Sequence, residues 1–168
     1  RGAVALSAPV DLSASATQID RWSNWHYTHY FLHSLRQKMR VKARQHPNRV
    51  SAAPLSQIRT LRGFDDAYTA PLHGFDGADD YYRRASSKPL LSKISVPTLL
   101  LNAANDPFLP PSCYPRAIAR KHDLLTLEVP ESGGHVGFVT FNHDGEYWSE
   151  QRTLSFFSSL NRRNEEHA

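Results

Sequence analysis

An α/β fold with a parallel sheet is predicted by three short apolar runs and by what separates them. The most telling run covers residues 96–101, Val-Pro-Thr-Leu-Leu-Leu, opened by a proline and followed by Asn102, Ala103, Ala104, Asn105, Asp106 and Pro107. A continuous apolar run of this length, without polar alternation, marks a strand buried on both faces, the usual state in a parallel sheet. Residues 124–129, Leu-Leu-Thr-Leu-Glu-Val, make a second run, and residues 3–8, Ala-Val-Ala-Leu-Ser-Ala, a third. A helical stretch lies between 96–101 and 124–129, as a parallel crossover requires.

The elements follow in order. Residues 3–8 form the first strand, stopped by Pro9, after which Asp11 is suited to start a turn or cap a helix. No proline or glycine occurs from Gln18 to Gln45, and Ile19, Trp22, Tyr27, Tyr30, Phe31, Leu35 and Met39 recur at roughly helical intervals. A long amphipathic helix over 18–45, broken at most once, is expected. Its basic end, with Arg36, Lys38, Arg40, Lys42 and Arg44, complements the negative end of the helix dipole. His46-Pro47-Asn48 stops it, and residues 49–75 read as irregular with one helical turn around 55–61.

Residues 77–86 read as a short helix, acids first and arginines last. After Asp106, three prolines stiffen a loop, and a helix is expected over 113–122. Asn142-His143-Asp144-Gly145 has turn chemistry. A closing amphipathic helix over 147–160 is expected to rest on Trp148, Leu154, Phe157 and Leu160, with a charged tail at 162–168 that frays.

The totals set outer bounds. A chain of 168 residues, 40% hydrophobic and 21% charged, has the size and composition of one globular domain. No run approaches the roughly 18 consecutive apolar residues of a membrane span, so no integral membrane segment is expected. The single cysteine, Cys113, permits no internal disulfide and no metal-binding spacing, and points to a reducing, cytoplasmic setting. Net charge +4 and pI near 9.4 are only mildly basic, and a nucleic-acid partner is not expected. The start, Arg1-Gly2 running directly into a strand, has no signal-peptide pattern and suggests a chain cut from something longer.

Two residues are candidates for chemistry. Asp106 emerges just past the central strand, where sites gather in parallel sheets, and His135 follows 29 positions later in Ser132-Gly133-Gly134-His135, past the next strand. Singly, each suits an ordinary loop position. Jointly, the order strand, acid, helix, strand, glycine-flanked histidine is that of the last two members of a Ser-Asp-His triad. A buried carboxylate fixes the imidazole tautomer, and the imidazole takes and returns a proton, a contribution on the order of 100- to 10,000-fold. No Gly-x-Ser-x-Gly elbow occurs in the chain, and neither Ser7 nor Ser132 has the strand-to-helix setting of a nucleophile. His26, His29 and His33 share helical spacing but lack companions for a metal, and Asp76, Asp79 and Asp80 lack calcium-loop spacing and suit helix capping. Neither a metal nor a cofactor is expected.

The combination of Gly63-Phe64-Asp65-Asp66, His73-Gly74-Phe75, Asp80-Tyr81-Tyr82, Asn105-Asp106-Pro107-Phe108 and Gly133-Gly134-His135-Val136-Gly137-Phe138 resembles the YheT-like branch of the α/β-hydrolases. The likeness runs from Ser7 to the closing helix. It implies the C-terminal part of an α/β-hydrolase, with the last parallel strands, flanking helices and a mostly helical cap insertion over 12–93. It also implies that Asp106 and His135 are the charge-relay acid and the histidine, and that the nucleophilic serine belongs to an N-terminal half this sequence lacks.

The expected function is a carboxylic-ester hydrolase of the serine esterase or lipase kind, acting on a small-molecule acyl ester in lipid metabolism. A longer form is open to membrane association. An acyl-CoA:alcohol acyltransferase with the same triad is one alternative. A truncated, non-catalytic binding or interaction protein is the other.

Overall fold

The computed structural model describes residues 1–139 and 145–165 and divides into two compact units, Arg1–Asp11 with Ser87–Ala168, and Leu12–Ser86. The first unit holds the sheet. Strands β1 (Ala3–Leu6), β2 (Thr98–Leu101) and β3 (Leu125–Glu128) lie in that order, all parallel, with Ala3 opposite Thr98 and Leu101 opposite Glu128. The parallel α/β arrangement is as expected, and each strand is shorter than its apolar run. β1 stops after Leu6 because Ser7, whose N–H still donates to the Leu101 carbonyl (2.8 Å), takes a left-handed backbone (φ 50°) that turns the chain away from the strand direction.

The three leucines of β2 show why the run has no polar alternation. Leu99 and Leu101 pack with Ala103, Phe138 and Phe156 on one face, while Leu100 packs with Val10, Leu109, Cys113 and Leu125 on the other. Burial of each contributes about 2 kcal/mol. The first face is covered by a closing helix, Trp148–Glu165, whose buried anchor is Phe156. Leu154 and Phe157, expected in the core, are exposed at 62% and 37%. Trp148 stacks on Phe138 at 6.0 Å, and Arg152 makes a bidentate ion pair with Glu128 of β3.

The helix expected over 113–122 is split into a 3-10 turn, Pro111–Cys113, and one short α-helix, Arg116–Ala119. Pro115 lies between them and supplies no N–H to carry a helix through. Of the expected turn at 142–145 only Gly145 is described, and 166–168 of the expected tail also lie outside the described residues.

The second unit is helical. The single long helix expected over 18–45 is two, α1 (Leu12–Ile19) and α2 (Trp25–Gln45), joined by a 3-10 turn at Trp22–Asn24. The break has a polar cause. The Asn24 amide donates to the Gln18 carbonyl (3.0 Å) and the Thr28 hydroxyl to the Ile19 carbonyl (2.8 Å), satisfying the end of α1. Asp20 meanwhile accepts the N–H groups of Leu61 (2.8 Å) and Arg62 (3.2 Å).

The buried face of α2 is Thr28, Leu32 and Met39, whereas Trp22 and Tyr30, expected inward, are exposed at 84% and 71%. Residues 61–72, expected as loop, are helical: α3 (Leu61–Phe64), a π-helical turn at Asp65–Thr69, and α4 (Ala70–Leu72). Thr60 caps α3 by accepting the Gly63 N–H (3.0 Å), and Phe64 and Tyr68 carry the apolar contact to Leu32, Met39, Leu55 and Ile58.

Helix α5 (Ala78–Ala85) is as expected in place and polarity. Its first N–H is capped by Asp66 (3.0 Å), while Asp79 and Asp80 pair with arginines. Among the described residues no helix is long and apolar enough to cross a membrane.

Candidate active site

β2 and β3 are adjacent and parallel, so the loops leaving their carboxyl ends emerge side by side. Asp106 and His135 lie on those two loops. The Asp106 carboxylate has no exposed surface; one oxygen accepts the Phe108 N–H (2.8 Å) and the other bonds His135 Nδ1 (2.9 Å). The Phe108 ring meets the imidazole edge to face at 4.7 Å. The His135 side chain is 36% exposed, and Nε2 has no hydrogen-bond partner among the described residues. With the carboxylate on Nδ1, the proton resides there and the Nε2 lone pair is left as the basic position. The structure thus brings together the two residues singled out in the sequence.

The supports around the pair are contacts that sequence reasoning missed. Asn102, at 0% exposure, accepts the Ala8 N–H (2.9 Å) and donates to the carbonyls of Ala8 (3.2 Å) and Cys113 (3.0 Å). Its amide thereby extends the β1–β2 pairing by one side chain and fixes the base of the aspartate loop. Tyr114 donates to the Ala103 carbonyl (2.7 Å). Burial, with the Asp106 charge second, pushes its hydroxyl above the usual range and keeps it a donor.

The histidine loop is tied through its backbone. Gly134 N–H donates to the Asn105 side chain (2.9 Å), Phe138 N–H to the Gly133 carbonyl (2.9 Å), and the Ser7 hydroxyl to the His135 carbonyl. Gly133 is required by space, since a Cβ there would stand 2.5 Å from the Phe138 ring. Gly134 is required by its φ of +59°. A signal existed in the sequence, because Asn102, directly after a fully apolar strand, is too polar for a core unless its amide bridges backbone groups.

The remaining candidates fall elsewhere. Ser7 does stand between a strand and a helix, with a left-handed φ, which differs from its sequence reading. Its hydroxyl faces a backbone carbonyl and not the imidazole. Ser132 is exposed, and Cys113 is fully buried. His26, His29 and His33 line the exposed side of α2, and no group of His, Cys, Asp or Glu among the described residues is placed to hold a metal.

No protein-family model matches the chain, and no solved structure does. Named relatives do. Over 154 residues, 89% of its length, the chain is 34% identical to "Putative esterase YheT" of Escherichia coli. This chain belongs to the YheT-like branch of the α/β-hydrolases. It is also 30% identical to mouse Phospholipase ABHD3 over 75% of its length, and 33% identical to the Medium-chain fatty acid ethyl ester synthase/esterase 2 of Saccharomyces cerevisiae over 61%. The YheT-like chain spans less than half of these relatives, 45%, 31% and 22% of their respective lengths. Its three parallel strands and flanking helices are the C-terminal portion of the hydrolase fold.

Proposed function

We propose that the protein is a carboxylic-ester hydrolase working through an acyl-enzyme, in which Asp106 and His135 are two of three catalytic residues and the nucleophilic serine comes from sequence outside these 168 residues. The observation that carries this reading is the 2.9 Å bond between a fully buried carboxylate and a half-open imidazole at the ends of neighbouring parallel strands. In the first half-reaction His135 Nε2 takes the serine proton as the hydroxyl attacks the ester carbonyl, and then gives that proton to the leaving alcohol. In the second it deprotonates water, which releases the acid and restores the serine. Asp106 stays ionised throughout and stabilises the imidazolium each time it forms. Segment 12–93 is proposed as a cap that shapes the acyl site, a role its helical content and aromatic side chains suit.

The test joins this chain to the serine-bearing segment of its own protein and measures hydrolysis of a short-chain p-nitrophenyl ester. Turnover that falls to background in His135→Ala supports the reading, and unchanged turnover refutes it. Acyl transfer to an alcohol is the second reading, favoured by the likeness to the yeast synthase/esterase. Ethyl ester formed in the presence of ethanol, in place of free acid, would select it.

A further inference from the structure

A pocket in the helical unit has no part in the chemistry proposed above. It lies where the 3-10 turn meets α2 and encloses about 380 Å³, within the roughly 300–1,000 Å³ of small-molecule sites. Three arginines line it, Arg21, Arg36 and Arg59, together with His29 and the indoles of Trp22 and Trp25. The one carboxylate in the lining, Asp20, has both oxygens engaged by the backbone N–H groups of Leu61 and Arg62.

None of the three arginines takes part in an ion pair among the described residues. Two are already anchored. Arg36 Nη2 donates to the Ile58 carbonyl (2.6 Å), and Arg59 Nη1 donates to the carbonyls of Ser56 and Ile58. Each guanidinium carries five N–H donors, so these anchors fix the fork and leave donors over. Positive charge that is held in place and lacks a carboxylate partner is suited to an anion supplied from solution.

The apolar half of the pocket is open to solvent. Trp22 and Trp25 stack on one another at 6.4 Å and are 84% and 56% exposed. Exposed tryptophans beside cations suit an amphiphile, with the ring faces taking the apolar body and the cations its charged end. Three guanidiniums present more donors than the two oxygens of one carboxylate match, whereas the phosphate of a monoester offers three terminal oxygens and nearly two negative charges.

We infer that this pocket, formed by Arg21, Arg36 and Arg59 around the Trp22–Trp25 pair, binds the phosphate group of a phosphate ester whose apolar portion lies on the indoles. The proposal is independent of the esterase reading. Its ligand is either a soluble phosphate compound or the headgroup of a phospholipid.

The test follows tryptophan fluorescence of the whole chain in two titrations, one with inorganic phosphate and one with phosphatidylcholine vesicles containing one-fifth phosphatidic acid. Chloride at matched ionic strength and pure phosphatidylcholine vesicles are the references. Arg21→Gln is the main variant, because that side chain makes no hydrogen bond or ion pair among the described residues. Arg36→Gln serves as a second, with circular dichroism to confirm that it folds.

Losing one charge-assisted contact is expected to weaken binding about tenfold. Saturation by phosphate, weakened in both variants, supports the proposal with a soluble ligand. A blue shift with the acidic vesicles alone, weakened in both variants, supports it with a lipid headgroup. A response no larger than the references in both titrations, or one unchanged in Arg21→Gln, overturns it.

Discussion

Replacing Asn102 by Ala isolates what one buried amide does for the site. The substitution removes the acceptor of the Ala8 N–H and the donor to the carbonyls of Ala8 and Cys113. Each such bond contributes about 1 kcal/mol net, and a buried polar group deprived of its partner costs about 1–3 kcal/mol. Cys113 is fully buried, so water does not replace the donor there, while partly exposed Ala8 recovers some hydration. The expected loss is therefore about 3–4 kcal/mol. At about 2–4 °C per kcal/mol for a chain of this size, Tm should drop by about 10 °C.

Urea unfolding, read by fluorescence and by amide exchange at Leu99–Leu101, measures the effect. Asn102→Asp should be at least as harmful, since it sets a negative charge against two carbonyls. A loss below about 1 kcal/mol in Asn102→Ala would refute the claim that this amide closes the sheet beneath the aspartate loop.

Four further outcomes are expected. In the serine-complemented protein, Asp106→Asn should lower kcat by about 10,000-fold by presenting the wrong imidazole tautomer; a loss under tenfold in steady-state hydrolysis would remove Asp106 from the mechanism. Gly133→Ala should cost about 1–3 kcal/mol by driving a methyl into Phe138, visible in urea melts followed through Trp148, which stacks on that ring.

Ser7→Gly should be less destabilising than Ser7→Ala by about 1 kcal/mol, because both lose the bond to the His135 carbonyl and only glycine accepts φ 50° without strain. Equal melting points would contradict this. Burial, reinforced by the hydrogen bond to Asp65, raises the Tyr82 phenol far above its ordinary value of about 10. Its stabilisation is therefore complete below about pH 10 and is lost as pH climbs toward the folded-state value. Alkaline unfolding curves should accordingly be shallower for Tyr82→Phe than for the unmodified chain.

The sheet was legible in the sequence because its central strand is buried on both faces, a condition that demands a continuous apolar run such as Leu99–Leu101. Asp106 and His135 were legible for a related reason. Each lies on the loop that follows an apolar run, and adjacent parallel strands bring such loops to one edge of the sheet. The helices of 12–86 were less so, because polar contacts distant in sequence decide them. The break after Ile19 depends on Asn24, Thr28 and the partners of Asp20 at 61–62, and no periodicity encodes these. Aromatic content also misled. Trp22 and Tyr30 fit an inward stripe by type, yet Thr28 and Leu32 occupy it. The same error recurs in the closing helix, where Phe156 and not its neighbour Phe157 reaches the core. Asn102 and Ser7 escaped notice because their roles lie in bonds to the backbone of other segments.

The histidine loop is secured by backbone atoms that every residue except proline possesses: the carbonyl of residue 133, the N–H of 134 and the carbonyl of 135. Apart from the two glycines and the imidazole, its geometry asks little of side chains. Glu131, Ser132 and Val136, all exposed, are thus at liberty to drift in evolution or to be diversified in a library while the imidazole stays in register. Variation at this rim is thereby uncoupled from the placement of the imidazole within six residues, so its surface chemistry can change while the Asp106–His135 bond is kept.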